Sequence, residues 1–331
     1  MKKEELSWFT ERLKPIVEIS KLFRDDELIV NNEHHWSVMK LLILGGWSYV
    51  YTTIIPNYFE KFFYVDLLAG TGAIKVQETG DIIVGSPLIA YFYSRNDFTK
   101  MFLVELDKDK LNALKRRMAI VEEIVTSPQL NMGFPNLSYY EGDCNIKVDE
   151  VISHVTSFGK GVHLLGFIDN EGFDTHWETV KKLLRVPCDL IILFPTSSCD
   201  RTKASCEKAL SRFFGCESWR SMASRDEFLM LYEERLAREY QEARGKDPYV
   251  SHIRVGTKQF YYDLILACKE GPYVRAWEYL RSKLNWQDPE TISIVLDRIT
   301  GRILPLDVLA GLYDELQKID QKNQPRLDDF I

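Results

Sequence analysis

One stretch, Phe62 to Gly72, constrains the fold more than any other part of the chain. It begins with an aromatic and β-branched run that is typical of a strand buried on both faces. It ends in a turn with two glycines one residue apart, where the backbone can approach a ligand without a Cβ in the way. Asp66 precedes the glycines and completes the pattern D-x-x-x-G-x-G. The alternative is an ordinary strand and loop with two turn glycines.

The same turn lacks the features of a phosphate-binding loop. A dinucleotide-binding turn has the pattern G-x-G-x-x-G, whereas Lys75 stands where the third glycine would be. The carboxylate of Asp66 would also repel a phosphate, but it suits a ligand that carries an ammonium group or hydroxyl groups. We therefore predict S-adenosylmethionine (SAM) as the cofactor, in preference to NAD or ATP.

Acidic residues recur at the ends of the predicted strands. Four apolar runs end at or near Asp66, Glu105, Asp143 and Asp169. In a doubly wound sheet the carboxyl ends of the strands line the ligand crevice, so these acids are expected at one edge of the sheet. Burying several like charges there requires a ligand or hydrogen bonds.

Two acidic positions have a local alternative. Asp107 is either a second candidate for the role of Glu105 or the cap of a helix predicted from Lys108 to Val125. Asp143 either contacts an adenine amino group or satisfies N–H groups of its own turn.

Two helices are predicted beside the glycine turn. Apolar spacing indicates one helix before the turn, which Gly45-Gly46 kinks or ends, and from which Lys40 either reaches over the turn or is solvated. Ser86 and Pro87 indicate the N-cap and the first residue of a helix after the turn. The N–H groups at the start of that second helix are expected to point toward the same pocket.

The last strands predict how the sheet closes. A fifth buried strand ends at Pro195, and a turn too short for a crossover joins strands at Ser251–Val255 and Phe260–Cys268. Strands joined in this way must be antiparallel. Five parallel strands closed by an antiparallel hairpin are expected of class I SAM-dependent methyltransferases. The predicted fold class is therefore α/β, with a Rossmann-like sheet of that type.

With 331 residues, the chain is long enough for one large domain with additions or for two domains. We predict an N-terminal helical region (1–55), a methyltransferase-like domain (56–285) with a helical insertion (198–247), and a C-terminal extension (286–331). The insertion is either a solvated helical segment or a lid that recognises the substrate. The extension contains a predicted helix at 306–319.

Charge and cysteine content narrow the partners and the compartment. The net charge of −7 and the pI near 5.5 provide no global basic field for nucleic acid, although a local basic groove is compatible with them. Six scattered cysteines without a C-x-x-C pair predict reduced thiols in a cytoplasm, and neither a metal site nor a disulfide framework. We see no apolar signal core at the start and no apolar run of the roughly 18 residues that a membrane span needs, so we expect no membrane span.

Several of these pieces together resemble the three-Cys-motif partner (TcmP) family of methyltransferase-like proteins. In order along residues 60–270, the matching pieces are Tyr64–Gly72, Gly85–Ala90, Leu103–Asp107, Phe167–Asp169 with Gly172, and Phe260–Ile265. The resemblance implies a class I methyltransferase-type Rossmann fold with SAM as ligand. The family name refers to a radical-SAM-like protein that carries three cysteines, so the resemblance also implies such a protein as a partner.

The predicted cofactor site combines the glycine turn with the strand-end acids. Asp66 and the turn would hold the methionine end of SAM, Glu105 the ribose and Asp143 the adenine. The full set of predicted cofactor residues is Asp66, Ala69, Gly70, Thr71, Gly72, Ser86, Pro87, Glu105, Asp107, Asp143, Cys144 and Asp169.

The segment from Asp169 to Phe173 is the predicted catalytic strand end. The TcmP family commonly has a proline after the aspartate, where this chain has Asn170. Methyltransferases that act on the amino groups of adenine or cytosine place an acid or Asn, two prolines and an aromatic residue there. This chain offers the acid and the aromatic residue without the prolines. Asp169 is predicted to accept a hydrogen bond or proton from the nucleophile, with Glu171 in reserve, and Phe173 to stack on a planar substrate.

SAM-dependent methyl transfer is the predicted function, with a nucleobase amine in RNA or DNA as the first candidate acceptor. A protein side chain and a small molecule stay open as acceptors. One alternative is a non-catalytic methyltransferase-fold protein that serves as the partner of a radical-SAM-like three-Cys protein. The other is an NAD(P)-dependent oxidoreductase, which the missing third glycine disfavours.

Overall fold

Helices and strands alternate along the chain in the computed structural model, which describes residues 3–203 and 205–302. The strands of these residues are β1 (Asn31–Glu33), β2 (Lys61–Asp66), β3 (Ala73–Val76), β4 (Ile82–Val84), β5 (Lys100–Glu105), β6 (Asn136–Glu141), β7 (Val162–Ile168), β8 (Cys188–Phe194), β9 (Pro248–Gly256) and β10 (Tyr261–Lys269). The α-helices are α1 (Lys3–Ser20), α2 (Trp36–Ile54), α3 (Ser86–Phe92), α4 (Lys108–Val125), α5 (Cys144–Ser157), α6 (Trp177–Leu184), α7 (Thr196–Thr202), α8 (Glu207–Phe214), α9 (Arg225–Arg244), α10 (Val274–Leu284) and α11 (Glu290–Thr300).

Seven strands form the main sheet, in the order β6-β5-β2-β7-β8-β10-β9. The strands from β6 to β8 run parallel, and β10 pairs antiparallel with both β8 and β9. In this register Leu264 of β10 lies between Leu193 of β8 and Ile253 of β9. The second strand of the closing hairpin, and not the first, joins the parallel strands, which is the order of class I methyltransferases. The predicted fold class is confirmed.

Alternate side chains of the central strand β2 enter two hydrophobic cores, one on each face of the sheet. Phe62 and Tyr64 belong to the first core, and Phe63 and Val65 belong to the second. Helices α1, α2, α3, α4, α10 and α11 complete the first core, and α5 to α9 complete the second. Burial on both faces explains the continuous apolar run from which this strand was predicted.

The segment 198–247 is helical, as predicted, but it is not solvated throughout. Helix α8 buries Phe213 and Phe214 in the second core, and α9 buries Tyr232 there. Charged side chains such as Arg212 stay exposed on the outer faces of the same helices, which is why the composition suggested a solvated segment. The division of the chain into domains stays a prediction, and the helix predicted at 306–319 lies outside the described residues.

Helix α2 lies in the first core and continues beyond both of its glycines, so the prediction that they end it is wrong. A Cβ on Gly45 would lie 3.0 Å from the ring of Tyr93, and one on Gly46 would lie 2.8 Å from a methyl carbon of Leu280. The glycines therefore allow close packing of α2. We expected no apolar run long enough to cross a membrane, but the stretch Trp36–Asn57 is long and apolar enough to do so. Within the fold, 72% of its most apolar part is buried.

A second sheet of three strands, in the order β1-β3-β4, follows directly on the glycine turn. Strands β3 and β4 form a hairpin between the glycine turn and α3, and β1 adds to it in parallel, with Asn32 opposite Lys75. The chain before α2 thereby crosses the turn, and Asn31 Nδ2 lies 3.2 Å from the position of a Cβ on Gly70. We call residues 24–40 the amino-terminal strap.

Arg117 of α4 fastens the amino-terminal strap to the glycine turn. Its guanidinium group donates to both carboxylate oxygens of Asp26, at 2.7 and 3.1 Å. It also donates to the carbonyl oxygens of Ile29, at 3.0 Å, and Thr71, at 2.8 Å. The side chain of Arg117 is fully buried, and these acceptors compensate the cost of burying its charge.

Candidate functional site

The glycine turn between β2 and β3 has the backbone that its sequence predicts. Gly70 and Gly72 have φ angles of +62° and +79°, in the left-handed region that favours glycine. A Cβ on Gly72 would lie 2.9 Å from a methyl carbon of Leu114, so a side chain does not fit there. The N–H of Ala69 donates to the carbonyl oxygen of Val104 at 2.8 Å. The turn is thus a bare backbone surface held against the end of β5.

Glu105 ends β5, as predicted, and only 8% of it is exposed. Its carboxylate accepts from the N–H groups of Gly70 and Asp107, both at 2.9 Å, and each oxygen keeps a second lone pair. Asp107 caps α4 instead, accepting from the N–H groups of Lys110 and Asp109, which lower the pKa of its carboxyl. For Asp107 the capping alternative is therefore the one observed.

Asp66 ends β2 and is fully buried. Its Oδ2 accepts from the hydroxyl groups of Ser86, at 2.7 Å, and Tyr64, at 2.9 Å, and burial raises the pKa of the carboxyl to about 7. The prediction that Ser86 is the N-cap of α3 is wrong. Ser86 is the first helical residue, and Gly85 takes the cap position before it. Its hydroxyl turns to Asp66 because a buried carboxyl group needs hydrogen-bond donors. Pro87 is accordingly the second residue of the helix.

Asp143 and Cys144 begin helix α5. Asp143 is the N-cap and accepts from the N–H of Asn145 at 2.8 Å, so its local alternative is the one observed. Cys144 is buried, which raises the pKa of its thiol to about 11. Asn145, which sequence reasoning missed, accepts from the N–H of His176 at 2.7 Å and donates to the carbonyl oxygen of Asp174 at 2.9 Å. These bonds tie the end of β6 to the loop after β7.

Two large apolar side chains are exposed at the same edge of the sheet. Leu106 follows β5 directly and is 68% exposed, and Ile146 lies in the first turn of α5, after β6, and is 65% exposed. Because β5 and β6 are adjacent and parallel, the two side chains follow neighbouring strand ends. Sequence reasoning missed both. The available signal was an apolar residue within three positions of each strand-end acid, Glu105 and Asp143.

Asp169 follows β7 and is paired with a lysine of the amino-terminal strap. The Nζ of Lys40 lies 2.6 Å from Asp169 Oδ2 and 3.1 Å from Glu33 Oε2. The solvated alternative for Lys40 is wrong, because only 6% of this residue is exposed. Burial alone would lower the pKa of Lys40, but the carboxylates of Asp169 and Glu33 outweigh it and raise that pKa above its ordinary value.

A cleft of about 610 Å³ runs along the carboxyl edge of the sheet. Asp169 and Glu171 contribute acidic groups to it, and the residues with aromatic rings that line it are His34, Trp36, Phe260, Tyr261 and Tyr262. The ring centroids of Trp36 and Phe260 lie 5.4 Å apart. The volume lies within the range of roughly 300–1,000 Å³ that is usual for small-molecule sites.

The loop after Asp169 turns Phe173 away from this cleft, whereas Asn170 of the same loop lines it. Phe173 packs edge to face on Phe213, with 5.2 Å between the ring centroids, beside the second core. Phe173 is not among the residues that line the cleft, so the stacking role predicted for it passes to the aromatic rings that do line it. Asn170 is buried, donates to the carbonyl oxygen of Leu193 at 3.0 Å and accepts from the N–H of Thr175 at 3.1 Å. Its amide holds the loop through bonds that a proline side chain does not form.

A second cavity, of about 30 Å³, lies against the glycine turn and is lined by Gly70–Gly72 among others. Four residues line both this cavity and the cleft: Asn31, Glu33, Lys40 and Asp169. We call these four residues the partition, because they separate the glycine turn from the cleft. Three of them, Asn31, Glu33 and Lys40, belong to the amino-terminal strap, and of these the sequence analysis considered only Lys40.

No family model matches the chain, and no curated protein matches it significantly. Among solved structures, the chain is similar to Trm1 from Pyrococcus horikoshii in complex with S-adenosyl-L-methionine, with 14% identity, a TM-score of 0.38, and 72% of this chain and 57% of that chain covered. It is also similar to protein LPL1258 from Legionella pneumophila, with 11% identity, a TM-score of 0.39, and 76% and 93% covered. The chain thus spans less than two thirds of the Trm1 chain. At these TM-scores the fold assignment rests on the strand order, and membership of the TcmP family stays a prediction.

Proposed function

We propose that the chain is a SAM-dependent methyltransferase, with a nucleobase amine in RNA or DNA as the first candidate acceptor. The observation that carries the proposal is the carboxyl edge of a sheet with class I methyltransferase strand order. Three features lie at that edge: the bare glycine turn, the buried acid Glu105 on the neighbouring strand, and Asp169 beside the aromatic-walled cleft. In open α/β sheets this edge is where ligands bind.

The residues around the turn fit SAM better than a cofactor with phosphate groups. Gly70 and Gly72 present backbone without side chains, and Glu105 keeps lone pairs that suit the hydroxyl groups of a ribose. The carboxyl groups near the turn disfavour a pyrophosphate by charge. Leu106 and Ile146 offer exposed apolar surfaces to an adenine ring. When bound, SAM supplies a methyl group activated by a sulfonium centre.

The residues of the chain contribute chiefly by positioning the acceptor. The ring of Phe260 lines the cleft and is 38% exposed, so it offers a surface on which a planar base stacks. Asp169 accepts a hydrogen bond or the proton from the acceptor amine, and Glu171, which is exposed in the same cleft, is the reserve for that role. Lys40 contacts only Oδ2 of Asp169, and while that contact lasts its positive charge makes the carboxylate a weaker base.

Two observations favour a second candidate function. Lys40 engages Asp169, and the cavity at the glycine turn, about 30 Å³, is well below the roughly 300 Å³ at which small-molecule sites usually begin. Both features suit a methyltransferase fold without catalytic activity, which would act as the protein partner of a radical-SAM-like three-Cys protein.

Calorimetry with SAM, S-adenosylhomocysteine (SAH) and NADH tests the cofactor. We expect micromolar binding of SAM and SAH, loss of both in Glu105→Gln, and no loss in the control Glu123→Gln, which makes the same change on the exposed face of α4. Binding of NADH instead would support an oxidoreductase. Binding of none of the three would favour the partner protein.

Methyl transfer from isotopically labelled SAM to pools of RNA, DNA and nucleosides tests the chemistry. We expect Asp169→Asn to bind SAM and to lose the transfer of label, because the amine then has no carboxylate to accept its proton. Transfer at the wild-type rate by this variant would contradict the role given to Asp169.

A further inference from the structure

The partition between the glycine turn and the cleft carries an inference that rests on the proposed function and deepens it. We propose that Lys40 is a positioning residue that acts as an internal competitor. Asp169 is the carboxylate that receives a cationic group of the ligand. Before a ligand binds, the ammonium group of Lys40 occupies that position. When the sulfonium of SAM or the amine of an acceptor arrives, Lys40 moves its contact to Glu33.

The distances make this exchange a short movement. Lys40 Nζ already lies 3.1 Å from Glu33 Oε2 while it contacts Asp169 Oδ2 at 2.6 Å. Within residues 3–203 and 205–302, Lys40 is the one basic side chain within 4.0 Å of the carboxylate of Asp169. When Lys40 moves away from Asp169, it therefore loses one of its two contacts and keeps the one with Glu33. Asp169 is then open to another cation.

The partners of the exchange are held in place by the rest of the strap. Ser37 donates a hydrogen bond to the same Glu33 oxygen, and Tyr262 donates to the carbonyl oxygen of Trp36 at 2.8 Å. Both bonds fix the start of α2, which carries Lys40, against the cleft. Glu33 itself lies in β1, which is paired with the strand that follows the glycine turn.

The charges of the partition explain why a cation is the expected ligand. The partition contains one ammonium group, that of Lys40, and two carboxylates, those of Glu33 and Asp169, so its net charge is −1. All three groups line both cavities. A cationic ligand group balances that charge, whereas the neutral thioether of SAH does not. Lys40 therefore weakens the binding of SAM relative to SAH, and Glu33 limits this effect by drawing the lysine away.

Two substitutions are expected to act in opposite directions. Lys40→Met removes the competitor and is expected to raise the affinity for SAM relative to SAH about tenfold, the effect of a unit charge at about 10 Å and an effective dielectric constant of about 20. Glu33→Gln leaves Asp169 as the one charged partner of Lys40 among the described residues and is expected to lower the same ratio. Lys75→Met removes an exposed lysine of β3 and is expected to leave it unchanged.

Calorimetric titration of the full chain with SAM and with SAH measures the ratio in all four proteins without an acceptor. A rise for Lys40→Met with a fall for Glu33→Gln supports the inference. No change for Lys40→Met, or a shift of both variants in one direction, overturns it. If Lys40→Met does not fold, Glu33→Gln decides, since an unchanged ratio there also overturns the inference. Wild-type protein that binds neither ligand refutes the proposed function itself, and the inference with it.

Discussion

Asp189→Asn is expected to change how the stability of the protein depends on pH. Asp189 lies near the amino end of β8, away from the candidate site, and is 1% exposed. Its Oδ2 accepts from Trp47 Nε1 at 3.3 Å, whereas its Oδ1 has no hydrogen-bond partner within the described residues. His163 Nε2 lies 4.0 Å from Oδ1, but burial lowers the pKa of this histidine to about 3, so it brings no positive charge at neutral pH.

The magnitude follows from the pKa of the carboxyl group. Burial raises the pKa of Asp189 from 3.8 to about 7. Between these values the folded protein holds a proton that the unfolded chain has released, so the free energy of unfolding falls as the pH rises. At about 1.4 kcal/mol per pH unit, the loss reaches about 4 kcal/mol by pH 7. Asparagine is neutral throughout and avoids this loss.

Urea unfolding between about pH 4 and pH 8 measures the effect, with free energies obtained by linear extrapolation. We expect Asp189→Asn to match the wild type near pH 4 and to exceed it by about 4 kcal/mol near pH 8. Asp66, whose pKa is also about 7, titrates in both proteins and cancels in the difference. The matched control Asp25→Asn changes an exposed carboxylate and should follow the wild type. A difference between Asp189→Asn and the wild type that stays constant with pH would refute the reasoning.

Three further changes test other parts of the structure. Arg117→Met leaves the carboxylate of Asp26 unpaired, and urea unfolding should show a loss of about 3 kcal/mol; an unchanged midpoint would contradict the fastening of the strap. Gly72→Ala adds a Cβ 2.9 Å from Leu114 at a φ of +79° and should abolish the binding of SAH in calorimetry. Gly80→Ala, with a φ of +74° and no atom of the described residues within 4 Å of the new Cβ, should retain it. Leu106→Ser should weaken the binding of SAH about tenfold by removing apolar contact, while Leu130→Ser, another exposed leucine, should not; equal effects would refute the adenine contact.

The sequence was sufficient to predict the centre of the main sheet, because the central strands are buried on both faces. Continuous apolar runs marked β2, β5, β7 and β8, and the acids at the ends of β2, β5 and β7 marked the carboxyl edge. Helix α4 begins and ends where its cap and apolar spacing indicated. The tight turn before β10 was sufficient to predict antiparallel closure.

The features that the sequence did not predict depend on contacts between distant parts of the chain or on very short strands. A lone lysine on an apolar helix has the same sequence signature whether water or two carboxylates surround it, so the partners of Lys40 were not predictable. Phe173 was assigned to the substrate because it follows Asp169, but the adjacent aromatic core around Phe213 attracts it instead. The strands β1, β3 and β4 are too short for a period of two to be visible.

The order of the strands also governs the synthesis of the chain. Strand β9 leaves the ribosome before β10, and β10 is its one partner among the described strands, so β9 cannot join the sheet when it emerges. The apolar strand β8 therefore keeps one unpaired edge from the synthesis of Phe194 until Lys269 has emerged. At about 5–20 residues per second this lasts several seconds. An exposed apolar edge is a template for pairing with other chains, so the nascent protein is open to such pairing in this interval, and a chain truncated before Lys269 stays in that condition.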